Sequence, residues 1–302
     1  MPLKGKNELE RFVDKYGYNI IWAALGKHLR NYTGEFEVNL CYDFTLADMH
    51  LLFTRSLYVQ GCHFEFDAIF DVYIGYTDEC GDKHNSSRWF SIHCATEVDG
   101  ELKFFAVSDI AIYEKNSKRG NATQNFVPII SKRQMDTETK KFLRDYFPQA
   151  LNEPTKVPIY EIACNMGLNL ELAYMLSEDF SFFGQITFSD TTTQVLDTET
   201  GDLFDLDTTR GTVLIDPEVF WERSPGSENF TIAHEVVHWE KHRLFADIKR
   251  LLYKDKYVAH RCPKWRNILT DSNNEWGDEE WLEWQANGIV NCPPCQDKLF
   301  KI

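Results

Sequence analysis

The chain predicts an α+β fold in two parts: a β-rich first half, and a second half whose helices carry the chemistry. Three observations lead there. Between positions 62 and 74 the even residues are Cys, Phe, Phe, Ala, Phe, Val and Ile, while the odd ones are mostly polar. This is the period-two alternation of a strand with one buried face. From position 229 onward Phe230, Ala233, Val237, Leu244, Ile248 and Leu251 recur at helical intervals with no Gly or Pro between them. Within that helical stretch stands His234-Glu235-Val236-Val237-His238, a spacing that places two imidazoles on one face.

The elements follow in order. Residues 7–30 read as two short helices broken at Gly17, and residues 45–53 as a further helix. The strand at 62–74 is followed by strands at 87–96 and 102–113, separated by turn sequences such as Glu-Val-Asp-Gly, so an antiparallel meander is expected. Residues 114–125 are polar and read as an exposed loop. A helix is expected after Ser131, ending before Pro148, and the Pro-containing run 152–158 reads as a linker. The expected domains are therefore 1–150 and 151–302. In the second, a short helix at 159–166 closes at Gly167. Strands at 184–189 and 211–216 flank an acidic, Thr-rich hairpin at 190–209. The long helix has Ser227 as its expected N-cap, and a last helix is expected at 278–287.

Composition bounds the function. The chain has 302 residues, 43% hydrophobic and 14% aromatic, enough for substantial cores. A net charge of −15 argues against a nucleic-acid surface, which needs Lys and Arg to neutralise phosphates, so no direct nucleic-acid partner is expected. The first ten residues have no apolar core like that of a signal peptide, and no window approaches a membrane span. Cytoplasmic localisation and no membrane association are expected. Cys41, Cys62, Cys80, Cys94, Cys164 and Cys262 are scattered and read as reduced, buried thiols. Cys292 and Cys295 have the two-residue gap of redox and metal motifs, and stand open between an incidental pair and either chemistry.

Two imidazoles four residues apart on a helix can grip one cation. Zn²⁺ accepts imidazole nitrogens and keeps an open position when the protein supplies only three ligands. Glu235 would lie beside the water held there and could take its proton. Glu283, on the next expected helix, is the candidate third ligand, with Asp278, Glu279 and Glu280 as competitors.

Phe230-Thr-Ile-Ala-His-Glu-Val-Val-His238, followed by Glu283-Trp-Gln-Ala-Asn287, resembles the ImmA/IrrE-type metallopeptidases, in which an F-T-x-A-H-E-x-x-H helix precedes an E-x-x-A-N helix. The segments Val157–Leu168, Gly184-Gln-Ile-Thr-Phe and Val213-Leu-Ile-Asp look like that family's lead-in helix and strands. The first half, including Phe126-Val-Pro-Ile-Ile-Ser, looks like an accessory region of clostridial members. One departure is plain: Asn287 is followed by Gly-Ile-Val-Asn-Cys-Pro-Pro, where the family runs on through an apolar stretch to Met-Pro. Many relatives of this kind continue further than Ile302, so a C-terminal segment beyond it is expected.

The resemblance implies a zincin-like catalytic domain behind a β-rich α+β accessory domain. It implies one Zn²⁺ held by His234, His238 and Glu283, with Glu235 as the general base. The implied activity is site-specific cleavage of a protein substrate such as a helix-turn-helix transcriptional repressor; the alternative is a non-proteolytic regulatory protein using the same metal domain for binding. His242 continues the ligand face and could orient a ligand or merely pack. His260, Tyr253 or Tyr257 could donate to a tetrahedral oxyanion. Trp239, Trp281 and Trp284 read as core. A sheet edge at 185–189 or 212–216 could pair with substrate backbone. The first half is expected to select the target or receive a signal, or else to cover an apolar face.

Overall fold

The chain's first helix is started by side chains that satisfy its open backbone. Asn7 Oδ1 accepts from the Glu10 N–H at 2.9 Å, and Glu10 Oε2 accepts from the Asn7 N–H at 3.2 Å. The computed structural model describes residues 5–31, 42–115, 120–153, 155–219, 225–254, 259–263 and 276–291, with only the backbone for Ser56, Pro225 and residues 260–263. The chain divides into two compact units, Met1–Pro128 and Ile129–Ile302. It is mixed α+β, as the sequence predicts.

In the first unit, α1 (Glu8–Phe12) runs through a π turn at Val13–Gly17 into α2 (Tyr18–Arg30). Gly17 therefore does not break the helix. Its missing Cβ makes room for an aromatic ring, since a Cβ there would lie 2.5 Å from Phe105 Cζ. Four long strands, β1 (Tyr42–Gln60), β2 (His63–Thr77), β3 (Lys83–Asp99) and β4 (Glu101–Ile112), form the expected antiparallel meander in sequential order. Phe64, Phe66, Phe70, Phe90 and Ile92 form one fully buried face. The helices meet that face, with Phe12 against Phe64 at 5.5 Å and His28 against Phe90 at 6.3 Å between ring centroids.

Residues 45–53 are strand, not helix. They lie within β1 and pair with β2 from Leu46↔Ile74 through Phe53↔Ile69. The register slips between Leu46 and Asp48 and again between Leu51 and Phe53. Each bulge shifts the inward positions by one, which erases the period-two signal and leaves a spacing that imitates a helix. The opposite face of this sheet holds a polar cluster that sequence spacing does not reveal. Asp67, 8% exposed, hydrogen-bonds His93 Nδ1 at 2.8 Å and accepts from Arg55 Nε at 3.2 Å.

Cys62, Cys80, Cys94 and Cys164 are free thiols, but not all are buried. Cys94 is buried, and that burial pushes its thiol up to about 12. Cys62 is half-buried, while Cys80 and Cys164 are exposed. Cys41, Cys292 and Cys295 lie outside the described residues, and of Cys262 only the backbone is described.

The second unit begins before the expected linker. Helix α3 (Met135–Tyr146) belongs to it, because Met135, Phe142 and Leu143 enter the same core as Ile162, Ile186 and Val236. The division thus falls at 128/129, whereas the Pro-containing run suggested 150/151. Two short helices follow, α4 (Gln149–Asn152) and α5 (Ile159–Asn165); the chain leaves α5 through Gly167 at φ +79°, the left-handed region that glycine tolerates.

A four-stranded sheet lies at the centre of this unit, built from β5 (Asn169–Glu171), β7 (Phe182–Thr187), β10 (Thr212–Ile215) and β11 (Ala259–Pro263). Its order is β11-β7-β10-β5, with only the β10–β5 pair parallel. A second sheet joins β6 (Tyr174–Met175) to the hairpin of β8 (Thr191–Asp197) and β9 (Leu203–Thr208), as the Thr-rich segment predicts. Alternation along β10 sorts the two faces. Val213 and Ile215 join the helical core, while Leu214 packs with Leu176 and Val195 of the second sheet.

Both strands expected to offer a free edge are internal. β7 is flanked by β11 and β10, and β10 by β7 and β5, so among the described residues the edges of this sheet are β11 and β5. Among the described residues, no helix is long and apolar enough to cross a membrane.

Candidate metal centre

The helix carrying the two histidines starts earlier than its cap signal suggests and changes pitch in the middle. α6 (Pro225–Val237) has Pro225 in its first turn, where a missing N–H costs nothing, and Glu228 there suits the positive end of the helix dipole. Ser227 is consequently inside the helix and not its N-cap; its carbonyl accepts from Thr231 Oγ1 at 3.0 Å. From His238 to His242 the chain makes a π turn, then resumes as α7 (Arg243–Tyr253). Such single π turns cluster at functional sites because they re-aim side chains without ending the helix.

The last helix, α8 (Asp278–Val290), opens where Gly277 donates its N–H to Glu280 Oε2 at 2.6 Å. Gly288, part of the departure noted after Asn287, has a structural use. A Cβ at that position would lie 2.5 Å from Met135 Sδ, so the glycine lets α3 pack directly on α8. Thr139 Oγ1 of α3 donates to the Ile289 carbonyl at 3.0 Å. Lys241 Nζ to Glu138 and Tyr146 Oη to Glu240, both at 2.9 Å, tie the same helix to the π turn. One helix thus braces both ligand-bearing segments. Behind the π turn, Arg210 grips the fully buried Asp247 of α7 through two bonds of 2.7 and 2.9 Å and lies over the Trp239 ring.

This frame brings together His234, His238 and Glu283, which are 0%, 1% and 7% exposed. Their donor atoms lie within 4.8 Å of one another, so the cluster could hold a metal ion. His234 Nε2 is 3.0 Å from His238 Nε2, 3.4 Å from it lies Glu283 Oε2, and Glu283 Oε1 is 3.3 Å from His238 Nε2. Ligands on a tetrahedral cation at zinc–nitrogen distances stand about 3.3 Å apart. Three donors converging at that spacing fit such an ion. Of the acids at the start of α8, Glu283 is the one in the cluster; Asp278, Glu279 and Glu280 are not among its donors.

Glu235 follows His234 on α6 and is fully buried against β7. Its side chain occupies the space that Gly184 leaves open. A Cβ at residue 184 would stand 2.7 Å from Glu235 Oε1 and 2.8 Å from Thr231 Cγ2. Gly184 is a residue whose role sequence reasoning missed, although it begins the segment read there as a strand. Gln285 is another. His242, 1% exposed, reaches His238 Nδ1 with its own Nδ1 at 3.0 Å and Gln285 Oε1 with its Nε2 at 3.2 Å.

His260 lies in β11 with its backbone opposite Ile186 of β7, and its side chain is outside the description. Tyr257 lies outside the described residues. Trp239 is core, stacked on Phe188, and Trp284 packs against the core. Trp281 is not core, being 41% exposed. It forms a three-ring cluster with Trp276 and Trp284 at the opening of α8.

The chain matches no protein-family model, no curated protein and no solved structure.

Proposed function

We propose that the chain is a zinc-dependent endopeptidase of the ImmA/IrrE type, with a zincin-like second unit, cutting a protein substrate such as a DNA-binding transcriptional repressor. The observation that carries this reading is the three-donor cluster of His234, His238 and Glu283, spaced for a tetrahedral ion and closed by two helices. Two imidazoles and one carboxylate make the donor set of catalytic zinc sites that keep a position open. Zinc, when bound, polarises a peptide carbonyl and makes water acidic enough to attack near neutral pH. Glu235, the residue after the first ligand, takes the proton of the attacking water on its carboxylate and passes it to the leaving amine. β11, an edge of this sheet among the described residues and beside the strand that carries Gly184, offers backbone groups for an extended substrate.

The test is elemental analysis of chelator-free protein, joined to co-expression with candidate repressors. About one zinc per chain is expected, with a cut that appears only when zinc is present. A zinc ratio near zero that added metal does not raise overturns the reading.

Gly184→Ala probes the placement of Glu235. The new methyl displaces the Glu235 carboxylate and presses on Thr231. Overpacking of this kind costs about 1–3 kcal/mol, and a base moved by an ångström loses roughly 100-fold in rate. Zinc content should stay at the native level, because no metal ligand is touched. Cleavage at the native rate would place Glu235 outside the reaction.

A further inference from the structure

His238, His242 and Gln285 form a buried line of contacts behind the candidate metal centre, each residue 1% exposed. His238 Nδ1 and His242 Nδ1 lie 3.0 Å apart, facing away from the cluster of candidate ligands, and make a hydrogen bond when one of the two carries the proton. If His242 supplied it as a neutral ring, its Nε2 would be a bare lone pair facing the Gln285 carbonyl oxygen at 3.2 Å, acceptor against acceptor. If His238 supplies it, each of the two contacts of His242 has one donor and one acceptor. His238 Nδ1–H donates to His242 Nδ1, and His242 Nε2–H donates to Gln285 Oε1. His238 Nε2 is then left as a lone pair, and that is the atom lying 3.0 Å from His234 Nε2 and 3.3 Å from Glu283 Oε1.

Resting on the metal reading above, we propose that His242 and Gln285 are positioning residues that hold His238 in its Nδ1–H tautomer and aim its Nε2 at the metal. The π turn is what makes this possible. It spans His238–His242 and sets their rings 4.9 Å apart at 68°, edge towards face, so that the two Nδ1 atoms meet. Gln285 comes from α8, the helix that also supplies Glu283. The relay therefore couples the orientation of a histidine ligand on one helix to the seating of the helix that carries the carboxylate ligand. A metal-binding histidine held through its second ring nitrogen is a better base and loses less freedom on binding.

The experiment uses the full chain, stripped of metal and titrated with zinc against a chromophoric chelator. His242→Leu removes the acceptor while keeping an apolar side chain of similar size, and zinc affinity should fall by about 10–100-fold. His242→Asn places an oxygen near the former Nδ1 and should restore affinity to within about threefold of native. If the leucine variant does not fold in the metal-free state, Gln285→Met serves in its place, with an expected loss of about tenfold.

Nitrogen-15 spectra that resolve the imidazole tautomers should place the His242 proton on Nε2 and the His238 proton on Nδ1. A folded His242→Leu protein with native zinc affinity, or a His242 proton found on Nδ1, overturns the proposal while leaving the metal centre intact. A native chain that binds no zinc overturns the metal reading and this assignment together.

Discussion

Glu235→Gln is expected to leave zinc content and thermal stability at native levels while lowering peptide cleavage by at least about 10²–10⁴-fold, the range for loss of a positioned general base. The amide matches the carboxylate in shape, so it fills the same space over Gly184 and does not disturb Thr231. It cannot accept the proton of the attacking water. It also removes a charge from a site with no exposed surface, which is why stability should not fall. Single-turnover cleavage of the substrate, measured beside zinc content, checks both halves. Native turnover in Glu235→Gln would assign the proton to another residue. If instead a regulatory function survives in Glu235→Gln but is lost in His234→Ala, the metal domain acts by binding alone.

The second large effect concerns where the second unit begins. A chain starting at Ile129 should bind about one zinc and melt cooperatively, whereas a chain starting near residue 154 should do neither. The second cut follows the Pro-containing run at 152–158 and removes α3. Met135, Phe142 and Leu143 then leave the core, and each buried side chain of this size contributes about 1.5–3 kcal/mol. Together they approach the whole stability of an ordinary domain, about 5–15 kcal/mol. The ties from Thr139 to Ile289, Glu138 to Lys241 and Tyr146 to Glu240 go with them, so both ligand-bearing segments lose their brace. Circular dichroism melts and zinc analysis of the two chains decide it. Zinc binding by the shorter chain at native affinity would show that α3 is dispensable. Cleavage of the natural target by the Ile129 chain then reads whether the first unit selects the substrate.

What sequence alone determined is local and periodic. The alternation at 62–74, the helical intervals from Phe230 to Leu251 and the four-residue gap between His234 and His238 each follow from the geometry of one element, and each has its counterpart in the structure. Glu283 was also within reach, although a helix start and a carboxylate left Asp278, Glu279 and Glu280 as competitors, and only the resemblance carried by the Ala-Asn that follows Glu283 chose between them. Most of what failed was decided by distant partners. Residues 45–53 carry a spacing compatible with a helix and became strand because β2 pairs with them through bulges that no local pattern encodes. Ser227 looked like a cap until Pro225 started the helix earlier.

The boundary shifted because α3 finds its apolar partners on α8, far along the chain, while proline content marks only where a helix cannot continue. The roles of Gly184 and Gln285 were invisible for the same reason. A glycine in a strand and a glutamine in a helix carry no periodic signal, and acquire a function only when Glu235 and His242 are folded against them. Sequence periodicity records which face of an element is buried; which atoms meet across that face is set by the packing of elements far apart in the chain.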